Sequence, residues 1–213
     1  MQRTRLAAVC ALLLVLCACS APSIQPAARA TTSTLDAAPL LGNVSGLMFV
    51  PVESWQVDNT KGASNSQTTE PAHCNSLIGI DAERRATLGS SDDARAIALV
   101  YDSPGAAAQL SERIRQCPTF TMYSSGQPQY SQSVTAHVGS PVQNATGTFG
   151  FTIACSTGDE RYPRVTPTQA VGAVGVVRGL TVVVMTFGRG DSPPDPALAD
   201  TLFRAQVERI THR

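Results

Sequence analysis

Lysine is almost missing from this chain: Lys61 is the only one, and apart from three histidines every other basic residue is an arginine. Aromatic residues make up only 5% of the sequence, with Trp55 the single tryptophan. Lys+Arg and Asp+Glu balance at 16 each, so no excess of cations is available for a nucleic-acid backbone. No apolar run approaches the ~20 residues that a membrane-spanning helix needs. No Gly-x-Ser-x-Gly is present, and with only His73, His137 and His212 a catalytic base has few candidates. No catalytic residue is assigned. A His-Cys pair such as His73-Cys74 falls short of the three or four ligands of a zinc site, so no metal or other cofactor is expected.

The N-terminus is the most explicit stretch. Arg3 and Arg5 precede an apolar run from Leu6 to Leu16, which ends in Leu16-Cys17-Ala18-Cys19. Two cations, an apolar segment too short to span a bilayer and a small residue before a cysteine are the parts of a bacterial lipoprotein signal. Residues 1–18 therefore read as a signal peptide and Cys19 as the acylated (palmitate-bearing) residue, held at the extracytoplasmic face of the cell membrane by lipid. Cleavage leaves 14 Lys+Arg against 16 Asp+Glu, a net charge of about −2, which disfavours nucleic acid and anionic lipid as main partners. Residues 20–34 are rich in Ser, Thr, Ala and Pro and too poor in large apolar groups to fold. Residues 19–34 thus form a lipidated cysteine and flexible tether, about 50 Å long if fully extended.

Residues 35–213 suffice for one domain with a sizeable core. Leucines at 35, 40, 41 and 47, broken by Pro39, Gly42 and Gly46, predict two short helical turns. Gln56 to Ala72 reads as a loop with Trp55 at its base, and Leu77, Ile78 and Ile80 as a short helix closed by Gly89. Arg95 to Asp102 alternates as a strand with Ile97, Leu99 and Tyr101 on one face. Ser103-Pro104 predicts a helix start with a hydroxyl cap, and Ala107, Leu110, Ile114 and Cys117 form one apolar stripe that Pro118 ends. Strands follow from Phe120 to Phe187. Phe149, Phe151, Ile153 and Cys155 share one parity, and Arg178-Gly179 joins two strands as a hairpin turn. Val182 to Met185 is apolar on both faces, as a central strand would be. Asp195 and Pro196 open a last helix whose stripe is Leu198, Leu202, Phe203, Val207 and Ile210. The expected fold is α+β: an antiparallel sheet with helices packed on one face.

Cys74, Cys117 and Cys155 remain after the lipid site, enough for one disulfide and one thiol. Cys117 closes a core-facing stripe, and a loop carrying Cys74 can fold back onto it. The expected pair is Cys74 with Cys117, with Cys155 a free, buried thiol. The rival, Cys117 with Cys155, would tie helix to sheet.

Several of these stretches resemble the PknH-like extracellular sensor domain of actinobacterial, notably mycobacterial, kinases and lipoproteins. They are Pro71-Ala72-His73-Cys74, Ser103-Pro104-Gly105-Ala106-Ala107-Ala108 leading to Cys117, Gly175 through Val184 around the hairpin, and the closing helix, together covering roughly residues 35 to 211. The resemblance implies a curved antiparallel sheet with helices forming a cleft, and a role in binding an envelope ligand. The sequence departs from that pattern in lacking a second cysteine pair, with Gln169 and Phe187 near its place, and in lacking a kinase domain.

Other motifs reduce to structure. Gly172-Ala173-Val174-Gly175 is followed by a hairpin where a nucleotide fingerprint needs a helix N-terminus. Arg189-Gly190-Asp191, the Asn43 and Asn144 sequons, Asp92-Asp93 and Asp159-Glu160 read as solvated turns and loops. The functional expectation is a lipid-anchored envelope module that binds a ligand or protein partner without turnover, on the sheet face that helices leave open, where Thr148 and Thr152 lie. The alternatives are an envelope hydrolase, marked by a histidine, carboxylate and hydroxyl sharing a cleft, and a scaffolding lipoprotein.

Overall fold

The computed structural model describes residues 35, 38–52, 67–74, 80, 82–124, 127–156, 170–188 and 192–212. Among them nine strands form one fully antiparallel sheet. In chain order the strands are β1 (Met48–Val52), β2 (Gln67–Glu70), β3 (Arg84–Ser90), β4 (Arg95–Tyr101), β5 (Thr119–Ser124), β6 (Gln127–Val138), β7 (Thr146–Ser156), β8 (Ala170–Val177) and β9 (Leu180–Phe187). Helix α1 (Gly105–Gln116) follows β4, and α2 (Pro196–Thr211) follows β9. Across the sheet the order is β1-β3-β4-β9-β8-β7-β6-β5-β2. Both outer strands are short and carry or adjoin a proline, Pro51 in β1 and Pro71 after β2, which removes a donor from an edge open to pairing.

The α+β class stands, but the helices do not share a face. On β4, Leu99 and Tyr101 join one apolar cluster with Ala106, Leu110 and Ile114 of α1, while Ala96, Ala98 and Val100 join another with Leu202, Phe203, Val207 and Ile210 of α2. On β9, Val183 and Met185 face α1, and Val182 and Val184 face α2. Central strands apolar on both sides require a cover on both, and each helix has only one apolar stripe to supply it. The small alanines of β4 lie on the α2 side, where short side chains let the helix approach the sheet closely.

Local chemistry explains most element ends. The β8–β9 turn holds Arg178 and Gly179 at φ +48° and +81°, the left-handed pair that a two-residue hairpin turn of type I′ needs. Asp195 caps α2, its carboxylate accepting from the Ala197 N–H at 2.8 Å, with Pro196 at the first helical position. At α1 the expected cap from Ser103 is absent. Pro104 holds the cap position without a side-chain bond, and Thr181 of β9 does the capping. Its buried hydroxyl accepts from the Ala107 N–H at 3.2 Å and donates to the Ser103 carbonyl at 2.6 Å, so the strand supplies the partner that the helix start lacks.

The early chain differs from the sequence expectation. Leu35, in the first of the two expected helical turns, is helical and its carbonyl accepts from the Ala38 N–H at 3.0 Å, while in place of the second turn the chain makes a tight turn closed by Val44 and Leu47 and then enters β1. The loop expected through Ala72 contains β2 and opens into a 3-10 turn (Ala72–Cys74), and Gly89, expected to close a helix, lies within β3. Trp55, Leu77, Ile78, Asp159-Glu160, Arg189-Gly190-Asp191 and the signal and tether with Cys19 lie outside the described residues. Leu35 and Leu41 are buried on the α2 side, where Arg85 donates to the carbonyls of Leu35 (3.2 Å) and Ala38 (3.0 Å), Gln206 to Pro39 (2.7 Å) and Arg209 to Leu40 (3.5 Å).

A disulfide joins Cys74 to Cys117, as expected, with Cα atoms 5.7 Å apart and a separation of 43 positions in sequence. It lies in the α1-side core and ties the 3-10 turn to the end of α1. Cys155 is in β7, and its side chain lies outside the described set.

Candidate binding cleft

Glycine beneath an aromatic ring is the recurring cross-strand pair of this sheet. Phe49 lies over Gly89, Phe151 over Gly172 and His137 over Gly150, each pair directly opposite in register. A Cβ built at the three glycines would stand 2.5, 2.3 and 2.2 Å from the nearest ring atom, so only glycine admits the rings. Phe49 and Phe151 are buried, whereas His137 is exposed. Its imidazole lies over the β7 backbone and faces solvent.

The surroundings follow from strand parity. Val134, Phe149, Phe151 and Ile153 point to the α1 side. The other parity of β6 and β7 places Ser133, Thr135, His137, Thr148, Gly150 and Thr152 on the α2 side. Helix α2 packs on β4, β8 and β9 and leaves this polar strip beside its flank. The loop 139–145 closes the end of the strip and is tied to the helix. Ser140 Oγ donates to Asp200 Oδ2 at 3.1 Å, Arg204 donates to the Pro141 carbonyl at 3.4 Å, and Val142 and Ala145 pack into the α2-side core. Phe203 wedges against Gly175, where an added Cβ would stand 2.8 Å from the ring and 3.0 Å from Thr148 Cγ2.

Between loop, helix and strip lies a cleft of about 110 Å³, lined among others by His137, Ser140, Thr148, Gly150, Asp200 and Phe203. Typical small-molecule sites hold roughly 300–1,000 Å³, so this one fits a single small ring or the end of a longer molecule. Neither Lys nor Arg lines it, and Asp200 is its one acid.

The sheet face free of helices expected around Thr148 and Thr152 is not found: a helix packs on each face, and Thr148 lies in the cleft beside Phe203 of α2. His137, one of the three histidines considered as a base, lines the cleft. Ser140 and Asp200 went unnoticed in sequence, being 60 residues apart and joined only by the fold. The glycines were the available signal, since Gly150 and Gly172 interrupt strands and mark close approach of another group.

Other candidates are elsewhere. His73, Cys74 and Cys117 bring their ligand atoms within 4.8 Å of one another, but both sulfurs are committed to the disulfide. His212 ends α2 on the surface, and Asp92 and Asp93 occupy the exposed β3–β4 turn. Among the described residues no helix is long and apolar enough to cross a membrane.

No family profile matches the sequence, nor does any curated protein. Solved structures do match. The chain is similar to the extracellular domain of PknH. That structure, from Mycobacterium tuberculosis, aligns with 76% of this chain and 93% of its own length at 11% identity and a TM-score of 0.45. An Rv0999 ortholog from Mycobacterium smegmatis aligns with 77% of this chain and 86% of its own at 14% identity and a TM-score of 0.43.

Proposed function

We propose that the chain is a lipid-anchored extracytoplasmic module that binds an envelope ligand, in the manner of a sensor domain, through the cleft beside α2. One observation carries the reading: a polar strip of sheet is left open next to a helix while a loop is bonded to that helix to wall it in. The lipobox ending at Cys19 supplies the location. Cys19→Ala should move the protein from the detergent phase to the aqueous phase, and unchanged partitioning overturns the anchor. Native mass spectrometry of the protein from its own host should show a co-purified molecule that Asp200→Asn or His137→Ala releases. A ligand that both variants retain places binding elsewhere.

A hydrolase is the second reading, because a histidine, a hydroxyl and a carboxylate share this cleft. In a serine relay the imidazole stands between the other two groups. Here Ser140 bonds straight to Asp200, and the ring lies over Gly150. Turnover of ester, peptide or glycoside probes that is abolished by His137→Ala would replace binding with catalysis.

A further inference from the structure

We infer that the cleft takes a neutral, polyhydroxylated ring, the end of a glycan, stacked on His137 with its hydroxyls bonded to Asp200 and the neighbouring side chains. The inference rests on the binding role proposed for this cleft and adds the ligand's chemical class.

The lining decides among ligands by charge, shape and size. A phosphate or carboxylate group is held best by Arg or Lys, neither of which lines the cleft, and it would meet the carboxylate of Asp200. Arg204, on the same helix as Asp200, is turned to the Pro141 carbonyl. A large apolar ligand would need several times the 110 Å³ available. A single sugar ring has two dry faces of C–H groups and a rim of hydroxyls, and both find counterparts here.

His137 supplies the flat surface. Its Cε1, Nδ1 and Nε2 all fall within 3.0 Å of the point where a Cβ of residue 150 would stand, so the ring lies flat across the backbone of β7 with its other face exposed. The rim is matched by short polar groups of limited rotamer freedom. Asp200 is half-buried, and a carboxylate offers about four acceptor sites, of which Ser140 uses one. Thr148 lies beside Phe203 on the same wall.

The test uses the full-length Cys19→Ala chain, which carries no lipid, and a panel of methyl glycosides of hexoses and pentoses. The readouts are saturation-transfer NMR on the sugars and amide shifts on the protein. Transfer to the ring C–H protons is expected, with amide shifts at His137, Gly150 and Ser140. His137→Ala should weaken binding about tenfold, as loss of one stacking contact would. His137→Tyr should restore much of it, which a merely structural role for the imidazole would not produce. Asp200→Asn should narrow the range of glycosides accepted. If no glycoside shifts the cleft amides while inorganic phosphate or a short peptide does, the glycan inference falls and the cleft survives as a binding site. Shifts confined to other surfaces overturn both.

Discussion

Replacing Gly172 by alanine adds one methyl group to a buried strand and isolates the effect of the rings laid over glycine. The new Cβ would stand 2.3 Å from Phe151 Cζ and 2.4 Å from Cε1. Carbon atoms rest at about 3.5–4.0 Å, so the ring must retreat by about 1 Å or more. Phe151 is 1% exposed and packed against the α1-side core, which leaves little room for retreat. Overpacking of this kind costs about 1–3 kcal/mol, and the stiffer unfolded chain returns roughly 0.5–1 kcal/mol. A net loss of about 1–2 kcal/mol is expected, read in urea as a lower midpoint at unchanged slope, or as a fall in Tm of about 2–8 °C. In a Phe151→Leu background the same substitution should cost less by about 1 kcal/mol, since the ring it strikes is gone. Gly150→Ala should be milder, because exposed His137 can swing away. Equal or greater stability of Gly172→Ala, or additive costs in the double variant, would refute the reasoning.

Thr181→Val should cost about 1–3 kcal/mol by stranding the Ala107 N–H at the buried start of α1, while Thr181→Ser should largely preserve stability; chemical denaturation distinguishes them. Removing the disulfide with Cys74→Ala and Cys117→Ala together should cost up to about 4 kcal/mol by the entropy of a 43-residue loop, and peptide mapping of the unreduced parent should find this pair and not Cys117 with Cys155. Tyr123 should ionise above the ordinary tyrosine range, because its hydroxyl donates to Glu70 at 3.0 Å and the carboxylate opposes a second negative charge. A raised folded-state pKa means that any stabilising contribution is present below the unfolded value and lost as pH rises through the folded one. NMR titration of the ring should show the shift and Glu70→Gln should erase it.

The strands and helices that bury one clean face were legible from periodicity: β4, the α1 stripe, β7, the β8–β9 hairpin and α2 all fall where alternation or three-four spacing put them. β1 and β2 were not, since Met48-Phe49-Val50-Pro51-Val52 contains a proline and Gln67-Thr68-Thr69-Glu70 is polar, and each is shaped by the neighbour it pairs with. β3 was read as part of a helix because Arg84-Arg85-Ala86-Thr87-Leu88 has weak alternation. The two-sided cover was implicit in Val182 to Met185, apolar on both faces, yet the helices were assigned to a single side. Parity put Thr148 on the polar strip, but that face carries α2, since nothing in one strand's alternation shows which helix will pack beside it. Ser140 and Asp200 meet only because a loop and a helix from distant parts of the chain dock together, and no local pattern encodes that.

The four carbonyls gripped by Arg85, Gln206 and Arg209 set how the domain bears a pull from its N-terminal side. They belong to Leu35, Ala38, Pro39 and Leu40, and their donors sit on two different elements, β3 and α2. Tension arriving along the chain is thus shared between a strand near one margin of the sheet and a helix that spans its middle. Leu35 and Ala38 are themselves core residues, so the same bonds hold the packed segment in place under load, like a mooring line made fast at two bollards. A pull from the N-terminal side would therefore be borne partly by α2, the same helix that frames the cleft.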